Sequence, residues 1–142
     1  GKLMTLLHNL KTAHKAGVKT TGNASRGGYA GPVRVSPFNF YFKPGEKDLS
    51  ALMADMNDGL VITEVSGLHA GANAISGDFS LIAQGYTVKD GKKDKAVDRI
   101  TIAGNFFQLL KNIRAVGCDL LFPGSSTGSP SVDIGEIAVA GK

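Results

Sequence analysis

Cysteine is nearly absent from this 142-residue sequence, which contains only Cys118. A single thiol excludes an internal disulfide and every zinc site built from several cysteines. Such low cysteine usage also fits a reducing compartment, so the cytoplasm is the expected location.

Long apolar runs are also missing. No stretch reaches the roughly 18 apolar residues that a membrane helix requires, and no basic-then-apolar leader precedes a cleavage site. A membrane partner is therefore not expected. The chain opens at Gly1 inside a helical pattern and without an initiator methionine, so we expect a fragment that lacks its upstream half.

A common phosphate-binding motif is lacking as well, because no glycine cluster ends in Gly-Lys-Ser or Gly-Lys-Thr. Residues 124–128, GSSTG, match the spacing Gly-x-Ser-x-Gly that marks the nucleophile of many hydrolases. They lie in a predicted Gly/Ser loop, however, and not at a turn from a strand into a helix. A serine hydrolase triad is not excluded by sequence order alone.

The residues that are present describe a folded protein. Hydrophobic residues make up 42% and charged residues 20% of the chain, which is typical of globular domains. At this length we expect one domain covering residues 1–142. The 19 glycines occur in turn-like contexts along the chain, and they favour many short elements over a few long helices.

Apolar spacing and turn residues predict three helices and six or seven strands. The helices are predicted at 2–16, between a cap at Asp48 and a stop at Gly59, and at 105–116. The strands are predicted at 32–42 with a bend at Pro37, at 60–65 as a buried strand, at 79–88 and 97–103 joined by a hairpin at Asp90-Gly91, at 119–122, and at 132–139 with a phase slip near Gly135. Gly85 is expected to mark a bulge or a close backbone approach. The predicted class is α+β, strand-dominated, with a curved antiparallel or mixed sheet, barrel-like, and about three helices.

The net charge of +4 raises the question of an acidic partner. Four lysines cluster at the predicted hairpin tip: Lys89, Lys92, Lys93 and Lys95. Without interleaved aromatic residues or a binding motif, a solvated hairpin tip explains them better than a nucleic-acid patch. Nucleic acid is therefore not expected as a partner.

The histidines and the cysteine do not form a metal site by their spacing. On a helix His8 and His14 would lie about 240° apart and point to different sides. Cys118 follows Gly117 and precedes an apolar stretch, so it is predicted to be a small core residue. No residue is assigned as a catalytic group or a metal ligand.

Two glycine-rich loops hold the candidate site residues. Arg26 is the prominent cation of the loop at 20–31, and His69 lies in a second loop with Asn73 and Asp78 close in sequence. A glycine-flanked imidazole can face a cleft, although an ordinary hydrogen-bonded loop histidine is the alternative. Arg26, His69, Asn73 and Asp78 are the candidates for contact with a peptide or a subunit, because glycine permits close main-chain approach.

Five stretches of the chain, taken together, resemble the C-terminal region of the TldD/PmbA family. They occur in the family's order and cover nearly the whole sequence: AGVKTTGNASRGGY, PFNFYFKPGEKDLSALM, GLVITEVSGLHAGANAISGDFSLIAQGY, DRITIAGNFFQLLKNIRAVGCDL and GSPSVDIGEIAVAG.

The resemblance implies a cytoplasmic metallopeptidase made of two homologous subunits that acts on peptides or unfolded chains. In the TldD branch the zinc ligands are a His-Glu-x-x-x-His helix, upstream of the matched region, and a later cysteine. This chain has no His-Glu pair, and residues 122–131 have no cysteine where that ligand would fall. The stretch Ser-Gly-Leu-His-Ala-Gly-x-Asn around His69 is similar to the PmbA (TldE) branch.

The resemblance therefore implies a non-catalytic PmbA-like subunit that holds no cofactor itself and pairs with a TldD-like subunit carrying the zinc. One alternative is a regulatory binding module of the gyrase-modulator type without a peptidase role. A further expectation is that the isolated fragment exposes apolar surface and self-associates.

Overall fold

The computed structural model describes residues 3–141. Its helices are α1 (Leu10–Ala16), α2 (Leu49–Met56), α3 (Leu68–Gly71) and α4 (Phe106–Lys111). Its strands are β1 (Ala24–Ser25), β2 (Arg34–Val35), β3 (Phe40–Tyr41), β4 (Gly59–Ser66), β5 (Asp78–Lys89), β6 (Lys92–Asn105), β7 (Ala115–Val116), β8 (Thr127–Gly128), β9 (Val132–Asp133) and β10 (Ala138–Ala140). Within the described residues, no helix has the length and apolar character needed to cross a membrane.

The predicted class, a strand-dominated α+β fold, is confirmed. Strand residues outnumber helical residues, and most strand pairs are antiparallel while β3 and β8 pair in parallel. The described residues form two compact units, one of 3–41 with 122–128 and the other of 42–121 with 129–141. The expectation of a single domain stays a prediction.

A four-stranded antiparallel sheet organises the second unit. Its strand order is β10-β6-β5-β4, so the sheet is open and its edge strands do not pair with each other. The predicted hairpin connects β5 to β6 through Asp90 and Gly91, which both have positive φ, at 50° and 71°. Two-residue turns of this kind match the twist of the strands they join.

Two register shifts in the sheet lie next to Gln84 of β5. The β4–β5 register shifts between Ile62 and Glu64, and the β5–β6 register shifts between Ala83 and Gly85. Gly85 is also the predicted close approach, because a Cβ there would lie 1.9 Å from the Val61 carbonyl oxygen. Bulges bend strands and increase their twist, so the two shifts are expected to bend and twist the sheet near Gln84.

The core of the second unit lies on one face of this sheet. Its buried members are Leu81, Ala83, Ile100 and Ile102, with Leu60, Ile62, Phe79, Val97 and Ile137 partly buried against them. Alternate residues of a strand point to the same face, which explains the spacing of two within each strand. The prediction that 60–65 is a buried strand is wrong in its burial: β4 is an edge strand whose last four residues are exposed.

Helix α2 begins as predicted and ends earlier. The Asp48 carboxylate accepts a hydrogen bond from the Ala51 N–H at 2.7 Å, which is an N-cap. The helix ends at Met56 and is followed by the C-cap Asn57, which has a positive φ of 63°, whereas Gly59 already begins β4. Asparagine tolerates this backbone conformation better than most residues.

The helix predicted at 105–116 is shorter in the structure. Helix α4 ends at Lys111, and Ala115 and Val116 form β7, which pairs with β9. The Arg114 N–H donates to the Asp133 carbonyl at 2.8 Å. Pairing with a distant strand therefore overrides the helical apolar spacing. The structure also contains a helix that was not predicted, the four-residue α3.

The helix predicted at 2–16 begins only at Leu10 in the first unit, and residue 2 of that prediction lies outside the described residues. Asn9 and Thr12 exchange side-chain-to-backbone hydrogen bonds as a capping box. The His8 carbonyl accepts from the Thr21 and Asn23 N–H groups. Because His8 is engaged with this loop, the helix cannot extend through it.

The strand predicted at 32–42 is divided in the first unit. Arg34–Val35 pairs antiparallel with Ala24–Ser25, and Phe40–Tyr41 pairs in parallel with Thr127–Gly128. The predicted bend at Pro37 lies between the two pieces. Proline lacks an N–H donor, so it interrupts a ladder of backbone hydrogen bonds.

Candidate functional site

A hydrogen-bonded turn between α3 and β5 contains two of the predicted site residues. The Asn73 side-chain oxygen accepts from the Ile75 N–H at 2.9 Å and the Ser76 N–H at 3.1 Å. The Gly77 N–H donates to the Asn73 carbonyl, and the Asn73 N–H donates to the Asp78 carbonyl, both at 2.8 Å. Asn73 therefore organises the turn from within, as asparagine commonly does in turns.

Asn105 joins this turn to helix α4. Its Nδ2 donates to the Ser76 carbonyl at 2.9 Å and to Asp78 Oδ1 at 2.8 Å. Its Oδ1 accepts from the Phe107 N–H at 3.0 Å and from the Gln108 N–H at 3.3 Å, which caps α4. One amide thus fixes the position of the turn relative to the helix.

The same contacts stabilise a charged carboxylate. Hydrogen bonds from the Asn105 amide and from the Ser76 side chain lower the pKa of Asp78 below its ordinary value, and slight desolvation opposes them. Donors aimed at a carboxylate favour its ionised form. Asp78 is therefore a fixed anion at neutral pH.

An apolar cleft of about 650 Å³ lies between the turn, α4 and the core face of the sheet. Its walls include Val65, Leu68, Phe79, Phe106, Phe107 and Ile137, and among its lining residues Asn73 alone is polar. Gly77 has a φ of 81°, and a Cβ there would lie 2.7 Å from the Phe107 ring. Glycine therefore lets the turn close against the aromatic wall.

His69 and Arg26 occupy separate places. His69 is exposed on α3 in the second unit, where it precedes the turn in the chain. Arg26 belongs to the first unit, and its guanidinium donates to the Tyr29 carbonyl at 3.4 Å. The structure brings Asn73 and Asp78 together in one turn, while neither His69 nor Arg26 belongs to that hydrogen-bonded network.

Cys118 is exposed, so the prediction of a small core residue is wrong. The neighbouring Gly117 takes the buried position, where a Cβ would lie 3.4 Å from the Leu52 side chain. The Cys118 N–H donates to the Lys47 carbonyl at 2.8 Å. Since successive residues of an extended segment point to opposite sides, the thiol faces outward.

His8 does not lie on a helix, contrary to the prediction. His8 precedes α1, so the angle expected between two helical histidines does not apply. Its Nδ1 lies 3.2 Å from the Thr12 hydroxyl oxygen, and His14 lies in the last turn of α1. Across residues 3–141, no three His, Cys, Asp or Glu side chains lie close enough together to hold a metal ion.

A second fixed carboxylate lies near the C-terminus of the second unit. The Ser131 hydroxyl and N–H donate to Asp119 at 2.6 Å and 2.9 Å. Both hydrogen bonds lower the pKa of Asp119, the side-chain bond most strongly. These two hydrogen bonds hold residues 119 and 131 together, and Asp119 directly follows the exposed Cys118 in the chain.

Sequence reasoning missed the central role of Asn105. An asparagine directly before the apolar run that starts at Phe106 is an N-cap pattern, and it could have located the start of α4. No sequence pattern indicates that the same side chain reaches Asp78, 27 residues earlier.

These features define the class of the protein as an α+β domain whose candidate site is an apolar cleft beside a rigid, glycine-containing turn. The family model described as the PmbA/TldA metallopeptidase C-terminal domain matches residues 1–141. The chain belongs to this family, and its predicted identity as a PmbA (TldE)-like C-terminal region is confirmed.

Similar proteins include the metalloprotease PmbA homolog of Haemophilus influenzae, 36% identical over 84% of this chain and 24% of that protein. The metalloprotease PmbA of Escherichia coli O157:H7 is 34% identical over 92% of this chain and 26% of that protein. The chain thus spans about a quarter of the length of these curated relatives.

Solved structures show the same fold. A Thermotoga maritima crystal structure, named for a proposed role as a modulator of a DNA gyrase, is 49% identical with a TM-score of 0.85, over 97% of this chain and 31% of that one. TldE from Thermococcus kodakarensis has a TM-score of 0.79 over 91% of this chain and 29% of that one, and at 22% identity it shows the fold alone.

Proposed function

We propose that this chain is the C-terminal part of a non-catalytic, PmbA-like subunit of a cytoplasmic TldD/PmbA zinc metallopeptidase. Its partner is a homologous TldD-like subunit that carries the zinc, and the substrates are peptides or unfolded chains. The relatives named as PmbA metalloproteases support the family side of this proposal.

The proposal that this subunit is non-catalytic is supported by the positions of its possible zinc ligands. His8 and His14 lie at opposite ends of the α1 region, His69 is on α3, and Cys118 follows β7. A catalytic zinc site needs about three protein ligands that converge on one point. Residues 122–131, where the resemblance places a cysteine ligand, contain none, and Thr127–Gly128 pairs with β3 instead.

The candidate residues fall into two roles under this proposal. Asn73 and Asp78 hold the turn and so position its exposed tip. His69 and Arg26 are exposed and carry donors that can contact a peptide carbonyl or a carboxylate of the partner subunit. The apolar cleft next to the turn supplies a surface for an apolar side chain of a peptide.

Zinc content and peptidase activity of the full-length protein, alone and mixed with its TldD-like partner, test the proposal. We expect no stoichiometric zinc and no cleavage from the lone protein, and both from the mixture. Stoichiometric zinc together with cleavage by the lone protein would refute the non-catalytic role.

The name of the Thermotoga relative favours a second candidate, a regulatory binding module that modulates a DNA gyrase. If that role used direct DNA contact, affinity for DNA would fall steeply as salt increases, because phosphate contacts release counterions. Fluorescence anisotropy with a DNA duplex at about 50 and 200 mM salt distinguishes the two. A flat response leaves the peptidase-subunit proposal in place.

A further inference from the structure

The two register shifts beside Gln84 place extra residues in both strands that neighbour β5. Thr63 is an extra residue of β4 in its pairing with β5, and on β6 residues 98 and 99 both lie opposite Gln84. Bulges of this kind interrupt the backbone hydrogen bonds, redirect side chains and are common next to active sites. The sheet is therefore irregular on both sides of one residue of an inner strand.

Arg99, one of the two bulge residues on β6, has a strained backbone. Its φ is 52°, in the left-handed region where glycine is the usual bulge residue. Its side chain is 88% exposed, and its contact with the neighbouring Asp98, from Nε to Oδ2 at 3.6 Å, is longer than a hydrogen bond. Packing therefore does not account for an arginine here, and strained residues of this kind occur at ligand-binding sites.

Arg99 lines a groove of about 290 Å³ together with Glu64, Ile82 and Gln84, named here the outer groove. Ile82 and Gln84 alternate with buried residues of β5, so the outer groove lies on the face of the sheet opposite the core. Gln84 Nε2 donates to Glu64 Oε2 at 2.7 Å. This hydrogen bond fixes a carboxylate on the β4 side of the groove, while Arg99 supplies a cation on the β6 side.

The spacing of these two charges matches the length of a short peptide. Strand β5 lies between β4 and β6, so at about 4.8 Å per strand the backbones that carry Glu64 and Arg99 lie about 10 Å apart. An extended chain covers about 3.3–3.6 Å per residue, so a tripeptide spans about the same distance. A guanidinium binds a carboxylate through two parallel hydrogen bonds, and the Glu64 carboxylate complements an ammonium group.

We propose that the outer groove binds short peptides with free termini, with the peptide carboxylate at Arg99 and the peptide ammonium at Glu64. Such peptides are products of the peptidase described under the proposed function, so the inference rests on that function for the origin of the ligand. The apolar cleft is lined by the core residues Leu81 and Ile102. The two sites therefore lie on opposite faces of the sheet.

An NMR titration of the 142-residue chain with tri-alanine tests the proposal. We expect saturable chemical-shift changes in β4, β5 and β6 around Gln84. Amidation of the peptide carboxylate and acetylation of its ammonium should each weaken binding about tenfold, because each removes a charge-assisted contact. The titration curves give the dissociation constants of the three peptides.

Arg99→Gly separates a binding role from a structural one. Glycine adopts the positive φ without strain, so the variant should unfold at the same urea concentration or at a higher one. It should also bind free and amidated tri-alanine equally weakly. Glu64→Gln should in the same way lose the preference for free over acetylated peptide. The matched control is Lys95→Gln, which removes a cation of β6 that does not line the groove and should leave binding unchanged.

Three results would overturn the proposal: no saturable shifts around Gln84, unchanged affinity in Arg99→Gly, or a lower urea midpoint in that variant, which would make Arg99 a stabilising residue. Shifts confined to the apolar cleft would overturn the site and leave the peptidase-subunit role untouched. Saturable binding at the outer groove without cleavage by the mixed subunits would support the site and refute only that role.

Discussion

The side-chain amide of Asn105 donates to the Asp78 carboxylate at 2.8 Å while its oxygen caps α4. Asp78 is the first residue of β5 and Asn105 the last residue of β6, and the two are direct partners at the open end of the β5–β6 hairpin. Two elements that border the apolar cleft, the turn and the helix, are thus fixed to each other by one side chain.

Replacing Asn105 with alanine is expected to destabilise the protein by about 1 kcal/mol or more, because loss of an N-cap alone has about that effect. Chemical denaturation measures the change. The matched control is Asn112→Ala at the other end of α4, where the hydrogen bonds to the helix use the backbone N–H, and it should have a much smaller effect. Equal losses in the two variants would contradict the capping role.

The pKa of Asp78 should rise toward its ordinary value in the Asn105→Ala variant. The Asn105 amide is the largest cause of the lowered pKa, and alanine has no donor to replace it. A carbon-detected NMR titration of the Asp78 carboxyl group gives the direct measurement. Asp119 is the internal control, because Ser131 and not Asn105 contacts it.

Stability should decrease in acid, and the sign follows from two lowered pKa values. Asp78 and Asp119 both have folded-state pKa values below the ordinary one. Their stabilising contribution is therefore complete above the unfolded-state value of about 4, and it is lost as the pH falls through the folded values. Urea unfolding from about pH 7 to pH 2 should show this loss, and Ser131→Ala should reduce the share that comes from Asp119.

Gly85→Ala should be strongly destabilising. The added Cβ would lie 1.9 Å from the Val61 carbonyl oxygen, so strand β4 would have to move away from β5. Overpacking of this kind typically costs about 1–3 kcal/mol. Gly27→Ala is the control, because no atom lies within 4 Å of the position that its added methyl group would take, and thermal unfolding should separate the two variants by several degrees.

Asp48→Ala should lower stability by about 1 kcal/mol, since it removes the cap of α2. Asp48→Asn is the informative comparison: asparagine caps helices as well as aspartate, so it should retain most of the stability. Urea denaturation of both variants measures the difference. If Asp48→Asn were as unstable as Asp48→Ala, the charge and not the cap would be the cause.

The features that the sequence predicted well are set by neighbouring residues. The Asp90-Gly91 hairpin and the cap at Asp48 each depend on backbone preferences within a few positions, and the structure contains both. The loop holding Asn73 and Asp78 was predictable for the same reason. Glycine and asparagine define turns locally. The strand predicted at 132–139 is instead divided into β9 and β10, which pair with different strands.

The features that the sequence did not predict depend on contacts with distant residues. Helix α4 ends early because Ala115 and Val116 pair with β9, and α1 starts late because the His8 carbonyl binds residues 21 and 23. Cys118 faces outward because Gly117 occupies the inner position. In each case long-range pairing outweighs a local preference of a few tenths of a kcal/mol per residue.

The sequence by itself therefore determined the family, the strand-dominated class and the local turns, since motif order and turn chemistry are properties of the chain. Only the tertiary structure decided that Asn105 meets Asp78, that Arg99 and Glu64 line one groove, and that the possible zinc donors lie on separate elements. Those relationships depend on strand pairing and burial, which bring together residues that are far apart in sequence.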